Sequence, residues 1–106
     1  MEPFVVRPDG GAGYQPLLKG GEQTVRMHSG CVGLEAGAEV GEHSTKGHEE
    51  VLVILEGAGT LRIEGHHDLE VAAGSLAYVP PHTTHNVVNT ATGLLRYFYI
   101  VAPVPG

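Results

Sequence analysis

The chain has 106 residues, of which 42% are hydrophobic and 17% are charged, and its formal net charge is −6. This length suits one domain with a modest core, and this composition excludes a disordered chain. The negative charge argues against nucleic-acid binding, which requires basic patches. We expect no membrane span or signal peptide, because no apolar run is long enough for either. The single cysteine, Cys31, has no internal disulfide partner, so we predict a cytoplasmic protein.

The first part of the chain, residues 1–23, reads as an N-terminal arm with short strands. Phe4 to Val6 is a candidate strand, and Gly10 to Gly13 has the composition of a flexible linker. Since the apolar residues of the arm have little core of their own, we expect them to pack against a neighbouring subunit.

The remainder, with its main body over residues 24–101, is a succession of short candidate strands. Residues 24–29 and 60–64 alternate between apolar and polar, as half-buried strands do. Val51 to Leu55 is an uninterrupted apolar run, which indicates a strand covered on both faces. A single small domain cannot easily cover both faces, so the run favours a homodimer. The 16 Gly and 7 Pro fall between such runs, and no segment shows a helical period, which predicts an all-β domain.

A stiff corner precedes a histidine in the segment 74–89. Pro80 and Pro81 end strand pairing because neither has a backbone N–H to donate. His85 then opens the next strand. A side chain held in this way suits a metal ligand, which must be in place before the ion arrives.

Two spaced patterns, in the order found here, resemble the motifs of the cupin family. The first is Gly, five residues, His-x-His, three or four residues, Glu, six residues, Gly, and it falls on Gly37, His43, Glu50 and Gly57. The second is Gly, five residues, Pro-x-Gly, two residues, His, three residues, Asn, and it falls on Gly74, Pro80, His85 and Asn89. The resemblance covers about residues 35–101. It implies one small cupin of the cupin 2 type over residues 1–106, an all-β conical double-stranded β-helix or jelly-roll barrel.

The chain departs from these patterns at two positions. His82 replaces the Gly of Pro-x-Gly, which matters little if His82 adopts positive φ, where His is enriched. Thr45 replaces the second His of His-x-His, and this removes a family ligand. His48 shares the predicted inward face of its strand with Glu50, so it is a candidate replacement, whereas Glu49 points outward.

The resemblance implies one divalent transition metal (Fe, Mn, Ni, Co, Cu or Zn) bound by His43, Glu50 and His85, and the strand period adds His48 as the fourth predicted ligand. Without His48, the remaining two imidazoles and one carboxylate form the facial set of non-haem iron(II) oxygenases. A cupin that has lost its metal is the alternative, although a buried carboxylate without a cation is costly. His66 and His67 read as surface residues, as do His28 and His82.

The family hosts many activities, so function follows less directly than fold. The resemblance implies a metal-binding protein that is a metal-dependent small-molecule enzyme, such as a dioxygenase. The alternatives are a cupin isomerase or decarboxylase, or a non-catalytic cupin that senses or stores a small ligand. No residue outside the metal set reads as a general base or a nucleophile. Tyr97 to Tyr99 on the last strand read as core or as the wall of a pocket.

Overall fold

The computed structural model describes residues 1–105. It contains nine strands: β1 (Gly13–Leu18), β2 (His28–Leu34), β3 (His43–Ser44), β4 (His48–Glu56), β5 (Ala58–Ile63), β6 (Leu69–Ala72), β7 (Leu76–Val79), β8 (Thr84–Val88) and β9 (Leu95–Pro103). They form two antiparallel sheets, one in the order β1-β2-β9-β4-β7 and one in the order β3-β8-β5-β6. The predicted all-β fold is confirmed, and nothing helical in residues 1–105 is long and apolar enough to cross a membrane.

The core lies between the inner faces of the two sheets. Six of its apolar side chains are at most 2% exposed: Leu52, Ile54, Leu61, Val79, Val87 and Leu95. They come from β4, β5, β7, β8 and β9, so both sheets contribute. Burying apolar side chains of this size stabilises a fold by about 1.5–3 kcal/mol each.

Strand β4 shows the predicted alternation between its two faces. Glu50, Leu52 and Ile54 are buried, whereas Val51 and Val53 are only partly buried. The second set faces away from the core, and in this single chain nothing covers it completely. The prediction that the run is covered on both faces is therefore not met within one chain.

The strand boundaries before β2 differ from those predicted. Residues 24–27 alternate in polarity but lie outside any strand, because the chain turns there. The backbone N–H of Gly21 donates to the carbonyl of Thr24, and that of Gln23 donates to the carbonyl of Lys19. Phe4 to Val6 is not a strand either, and it has no strand partner within the described residues.

The hairpin between β4 and β5 explains one of the motif glycines. Gly57 has φ of +83°, a conformation that L-residues with a Cβ rarely adopt. A Cβ at this position would also collide with the carbonyl oxygen of Leu94. Only glycine therefore allows β4 to turn so close to the start of β9.

Candidate metal centre

Three strands bring two imidazoles and one carboxylate together at one end of the core. His43 lies on β3, Glu50 on β4 and His85 on β8, and their candidate ligand atoms lie within 4.8 Å of one another. His43 and His85 face each other across the β3–β8 ladder, with ring centroids 4.2 Å apart. Glu50 and His85 are buried and His43 is exposed, so the cluster opens to solvent on the His43 side.

Backbone carbonyls orient both imidazole rings. The Nδ1 of His43 lies 2.9 Å from the carbonyl oxygen of Gly41, and the Nδ1 of His85 lies 3.1 Å from that of Thr83. A carbonyl only accepts, so each Nδ1 donates its hydrogen, and each Nε2 of a neutral ring is left with a lone pair. Metal-binding histidines are commonly held in this way.

The contact between His85 and Glu50 indicates whether the cluster suits a metal ion. The Nε2 of His85 lies 3.0 Å from Oε1 of Glu50, and both side chains are at least nine-tenths buried. With Nδ1 donating to Thr83, this second contact requires either a proton between Nε2 and the carboxylate or a cation shared by both groups. The buried carboxylate needs a positive partner, and the donor set of the cluster is one that a divalent ion accepts.

The surroundings of His85 favour its protonated form. Burial lowers its pKa, but the hydrogen bond to Glu50, the carbonyl of Thr83 and the charge of Glu50 outweigh that effect. The net result is a raised pKa, so an ion-free site holds His85 as an imidazolium more readily than free histidine does. An ion entering the site competes with that proton.

Thr45, which stands where the family pattern has a second histidine, joins two loops. Its hydroxyl donates to the carbonyl of Pro80 at 2.7 Å and accepts from the N–H of Thr83 at 3.1 Å. Its own N–H donates to the carbonyl of Thr83. The hydroxyl is thus occupied, and its loop is attached to the Pro80 corner that precedes His85.

His48 lies outside the three-residue cluster, although it lines the same cavity and is partly exposed. It precedes Glu50 by two residues, which is about 6.6 Å along a strand. Of the four predicted ligands, the structure thus brings together His43, Glu50 and His85. His48 as a ligand stays a prediction.

The other histidines lie at the surface. His28, His66, His67 and His82 are all exposed, as expected. His82 has φ of +54°, the conformation that the family's glycine would adopt, and its N–H donates to the carbonyl of Lys46. Replacement of that glycine therefore leaves the turn intact.

The cluster opens into a cavity of about 540 Å³. Its aliphatic wall comes from Val32, Val40, Leu52, Val87 and Val101, and its aromatic wall from Tyr14, Tyr97 and Tyr99. Beside the cluster and the tyrosines, its ionisable groups are Glu42 and His48, and among the described residues no lysine or arginine lines it. The space suits a small and largely apolar molecule.

The sequence identified part of this wall. Tyr97 and Tyr99 were expected in the core or the pocket wall, and both line the cavity, whereas Arg96 and Phe98 alternate with them on β9 and do not. Tyr14 was missed, because it belongs to the N-terminal arm. Its position depends on the pairing of β1 with β2, in which Tyr14 lies opposite Val32, and no local pattern encodes that register.

Comparison with known proteins agrees with this architecture. No curated protein sequence matches the chain. A protein from Bacillus halodurans is 23% identical, with a TM-score of 0.84 over 99% of this chain and 84% of its own. An RmlC-like cupin from Methanocaldococcus jannaschii is 20% identical, with a TM-score of 0.80 over 97% and 91%. A predicted oxalate decarboxylase from Thermotoga maritima is 23% identical, with a TM-score of 0.79 over 86% and 79%. These likenesses show a shared fold.

The family assignment comes from the sequence itself. The sequence model of the cupin domain family matches residues 30–101, which is well over half of the chain. The matched segment begins in β2, ends in β9 and contains the three clustered residues His43, Glu50 and His85. The chain belongs to the cupin family, as a small domain of the cupin 2 type.

Proposed function

We propose that this protein is a metal-dependent enzyme acting on a small molecule, with one divalent ion held by His43, Glu50 and His85. The observation that carries the proposal is the convergence of these three side chains within 4.8 Å in the wall of a cavity of about 540 Å³. Within the range of cupin activities we favour a dioxygenase, because two imidazoles with one carboxylate are the ligand set of non-haem iron(II) oxygenases.

The residues of the chain have separate tasks in this proposal. Glu50 supplies the negative charge, and its burial keeps water from weakening its attraction for the ion. His43 and His85 supply neutral nitrogens, each aimed by a backbone carbonyl. The ion, when bound, supplies a Lewis acid with positions open to a substrate or to oxygen. The aliphatic wall keeps that side of the cavity dry and selects small apolar ligands.

One observation favours a second candidate, a non-catalytic cupin that binds a small ligand. His85 and Glu50 already contact each other at 3.0 Å, so this half of the site is satisfied without any ion. A cupin isomerase or decarboxylase is the remaining alternative, and it uses the same three residues. The likeness to a predicted oxalate decarboxylase is a reason to include oxalate among the substrates tested.

Metal titration tests the site, and oxygen uptake tests the chemistry. Untagged protein, stripped of metal, is titrated with Fe(II), Ni(II) and Zn(II) beside His85→Ala and the surface control His66→Ala. One equivalent bound by the wild type and by the control, but not by His85→Ala, supports the site. Equal affinity in a folded His85→Ala variant contradicts it.

Iron-loaded protein is then given thiols, flavonoids and diketones in an oxygen electrode, and oxalate in an assay for released carbon dioxide. Iron-dependent oxygen uptake supports the dioxygenase. Carbon dioxide release from oxalate without oxygen uptake supports the decarboxylase. Tight binding of a compound that is not converted supports the non-catalytic candidate.

A homodimer is part of the same proposal. On the outer face of the five-stranded sheet, two cross-strand rows of apolar side chains run through β7, β4 and β9. They are Leu76, Val53 and Phe98 in one row, and Tyr78, Val51 and Ile100 in the other. Leu76 is 69% exposed and Tyr78 is 53% exposed. Contiguous apolar surface of this kind marks an interaction site, and a second copy offers the same surface in return.

A further inference from the structure

Two tyrosines from distant parts of the chain form a pair in the wall of the cavity. The phenol oxygens of Tyr14 and Tyr99 lie 2.6 Å apart, and their rings stack with centroids 6.1 Å apart and an angle of 17° between planes. Both rings line the cavity that contains His43, Glu50 and His85. The pair belongs to the candidate site but not to its metal cluster.

The backbone of β2 makes room for this pair. Gly30 lies opposite Tyr99 in the β2–β9 ladder. A Cβ on Gly30 would lie 2.6 Å from a ring carbon of Tyr99 and 2.8 Å from a ring carbon of Tyr14, which is closer than real Cβ contacts. Both rings therefore rest against the bare backbone of one strand, and any side chain at Gly30 would displace them.

The pair has one hydrogen left to donate. A phenol carries one hydrogen, so when one hydroxyl donates to the other, the second hydroxyl keeps its own hydrogen. Among residues 1–105, neither hydroxyl has another hydrogen-bond partner. Burial raises the pKa of Tyr99, as do the hydrogen bond to Tyr14 and the charges of Tyr14 and Glu50, so the Tyr99 hydroxyl stays protonated at neutral pH.

The rest of the cavity limits the charge of a ligand. Its carboxylates are Glu42 and Glu50, and it offers no lysine or arginine among the described residues. Glu42 is exposed to solvent, so Glu50 alone sets the charge balance at the ion. A divalent ion bound with Glu50 leaves one net positive charge, which a monoanion neutralises. A dianion would place its second charge against an apolar wall without a protein cation, and burying an unpaired charge is unfavourable.

We infer that the site takes small, largely apolar molecules that chelate with no more than one negative charge and present a neutral oxygen acceptor to the Tyr14–Tyr99 pair. Compounds of the β-diketone or hydroxyketone class fit this description, and dicarboxylates do not. Tyr99 is the positioning residue because it is the more buried of the two, and Tyr14 acts through it. This inference depends on the proposed metal site.

Two matched ligand pairs test the two parts of the inference on Ni(II)-loaded protein. Acetylacetone and malonate form the same chelate ring with one and two negative charges. Heptane-2,4,6-trione and heptane-2,4-dione differ by one remote carbonyl. Affinities are measured by calorimetry and corrected for affinity to free Ni(II). We expect the protein to favour acetylacetone over malonate, and the trione over the dione by about 3- to 10-fold, the effect of one hydrogen bond.

Substitutions test whether the Tyr14–Tyr99 pair causes the preference for the trione over the dione. Tyr99→Phe should abolish the advantage of the trione, because it removes the donor. Tyr14→Phe should reduce the advantage, because Tyr99 keeps its hydrogen but loses the contact that orients its hydroxyl, and the double variant should lose no more than Tyr99→Phe. Ni(II) affinity should stay unchanged in all three. Tyr78→Phe makes the same chemical change on the outer face, where its hydroxyl contacts Glu49, and should keep the advantage. If Tyr99→Phe fails to fold, Tyr14→Phe decides, because Tyr14 is 60% exposed.

The outcomes separate this inference from the proposed function. If the wild type binds no Ni(II), the proposed metal site fails and the inference falls with it. If Ni(II) binds but malonate is favoured, or if the trione's advantage is absent or survives in Tyr99→Phe, only the inference is overturned.

Discussion

Replacing Thr45 with valine should destabilise the protein although the shape of the side chain is kept. The Thr45 hydroxyl donates to the carbonyl of Pro80 and accepts from the N–H of Thr83, and the residue is 7% exposed. Each such hydrogen bond contributes about 0.5–1.5 kcal/mol, so the loss should be ~2 kcal/mol. In a domain of this size that corresponds to a fall of about 10 °C in Tm.

The same substitution should weaken metal binding without abolishing it. The carbonyl of Thr83 accepts from the N–H of Thr45 and contacts the Nδ1 of His85. Loosening this loop therefore allows the imidazole of His85 to rotate, and loss of such supporting contacts typically costs about 10- to 100-fold in metal affinity. His85→Ala, which removes the nitrogen itself, should cost more.

Urea unfolding and thermal melting of the metal-free variant measure the first effect, and Ni(II) titration measures the second. Thr83→Val is the matched control, because its hydroxyl donates only to the carbonyl of Pro81 two residues away. The reasoning is refuted if Thr45→Val is as stable as the wild type. It is equally refuted if Thr45→Val loses Ni(II) as completely as His85→Ala, since Thr45 would then act as a ligand.

Three further predictions concern the metal site, pH and assembly. His85→Ala should lose most bound Ni(II) while circular dichroism shows an intact fold, whereas His48→Ala should keep the site, because His48 lies outside the cluster; equal loss in both variants would indicate four ligands. In the metal-free protein the raised pKa of His85 adds stability at pH values below its unfolded pKa of about 6.5, and this stability is lost as pH rises through the folded pKa. The free energy of unfolding should therefore fall as pH rises from the unfolded to the folded pKa. Glu50→Gln should flatten this dependence on pH, because it removes the charge that raises the pKa. In the loaded protein the same nitrogen must be neutral, so as pH is lowered the affinity for metal should begin to fall above about pH 6.5 and decline further with acidification, and metal retained to about pH 4 would indicate other ligands. Sedimentation should show a dimer for the wild type and for Leu69→Glu on the other sheet, but a monomer for Leu76→Glu; a monomeric wild type at micromolar concentration would contradict the dimer.

Much of the site was predictable because it depends on local spacing. The motif intervals identified His43, Glu50 and His85, and a strand period of two placed Glu50 on the same face as Leu52 and Ile54, as the structure shows. Positive φ at His82 was also predictable, since it follows from which residues tolerate that conformation. The face of Glu50 and the φ of His82 need only covalent geometry and the distance between neighbouring residues, whereas the motif intervals identify ligands through the resemblance to cupins.

Other features were decided only when distant segments met. Period two placed His48 on the inward face, but the distance between its ring and the other ligands depends on how β3 and β8 pack against β4. From the sequence, Thr45 is only a missing ligand. The structure adds that its hydroxyl donates to the carbonyl of Pro80, 35 residues away. Tyr14 reaches Tyr99 across 85 residues because β1 and β9 pair with opposite edges of β2. Such contacts depend on strand register, which is set by the burial of whole faces and not by the residues that make the contact.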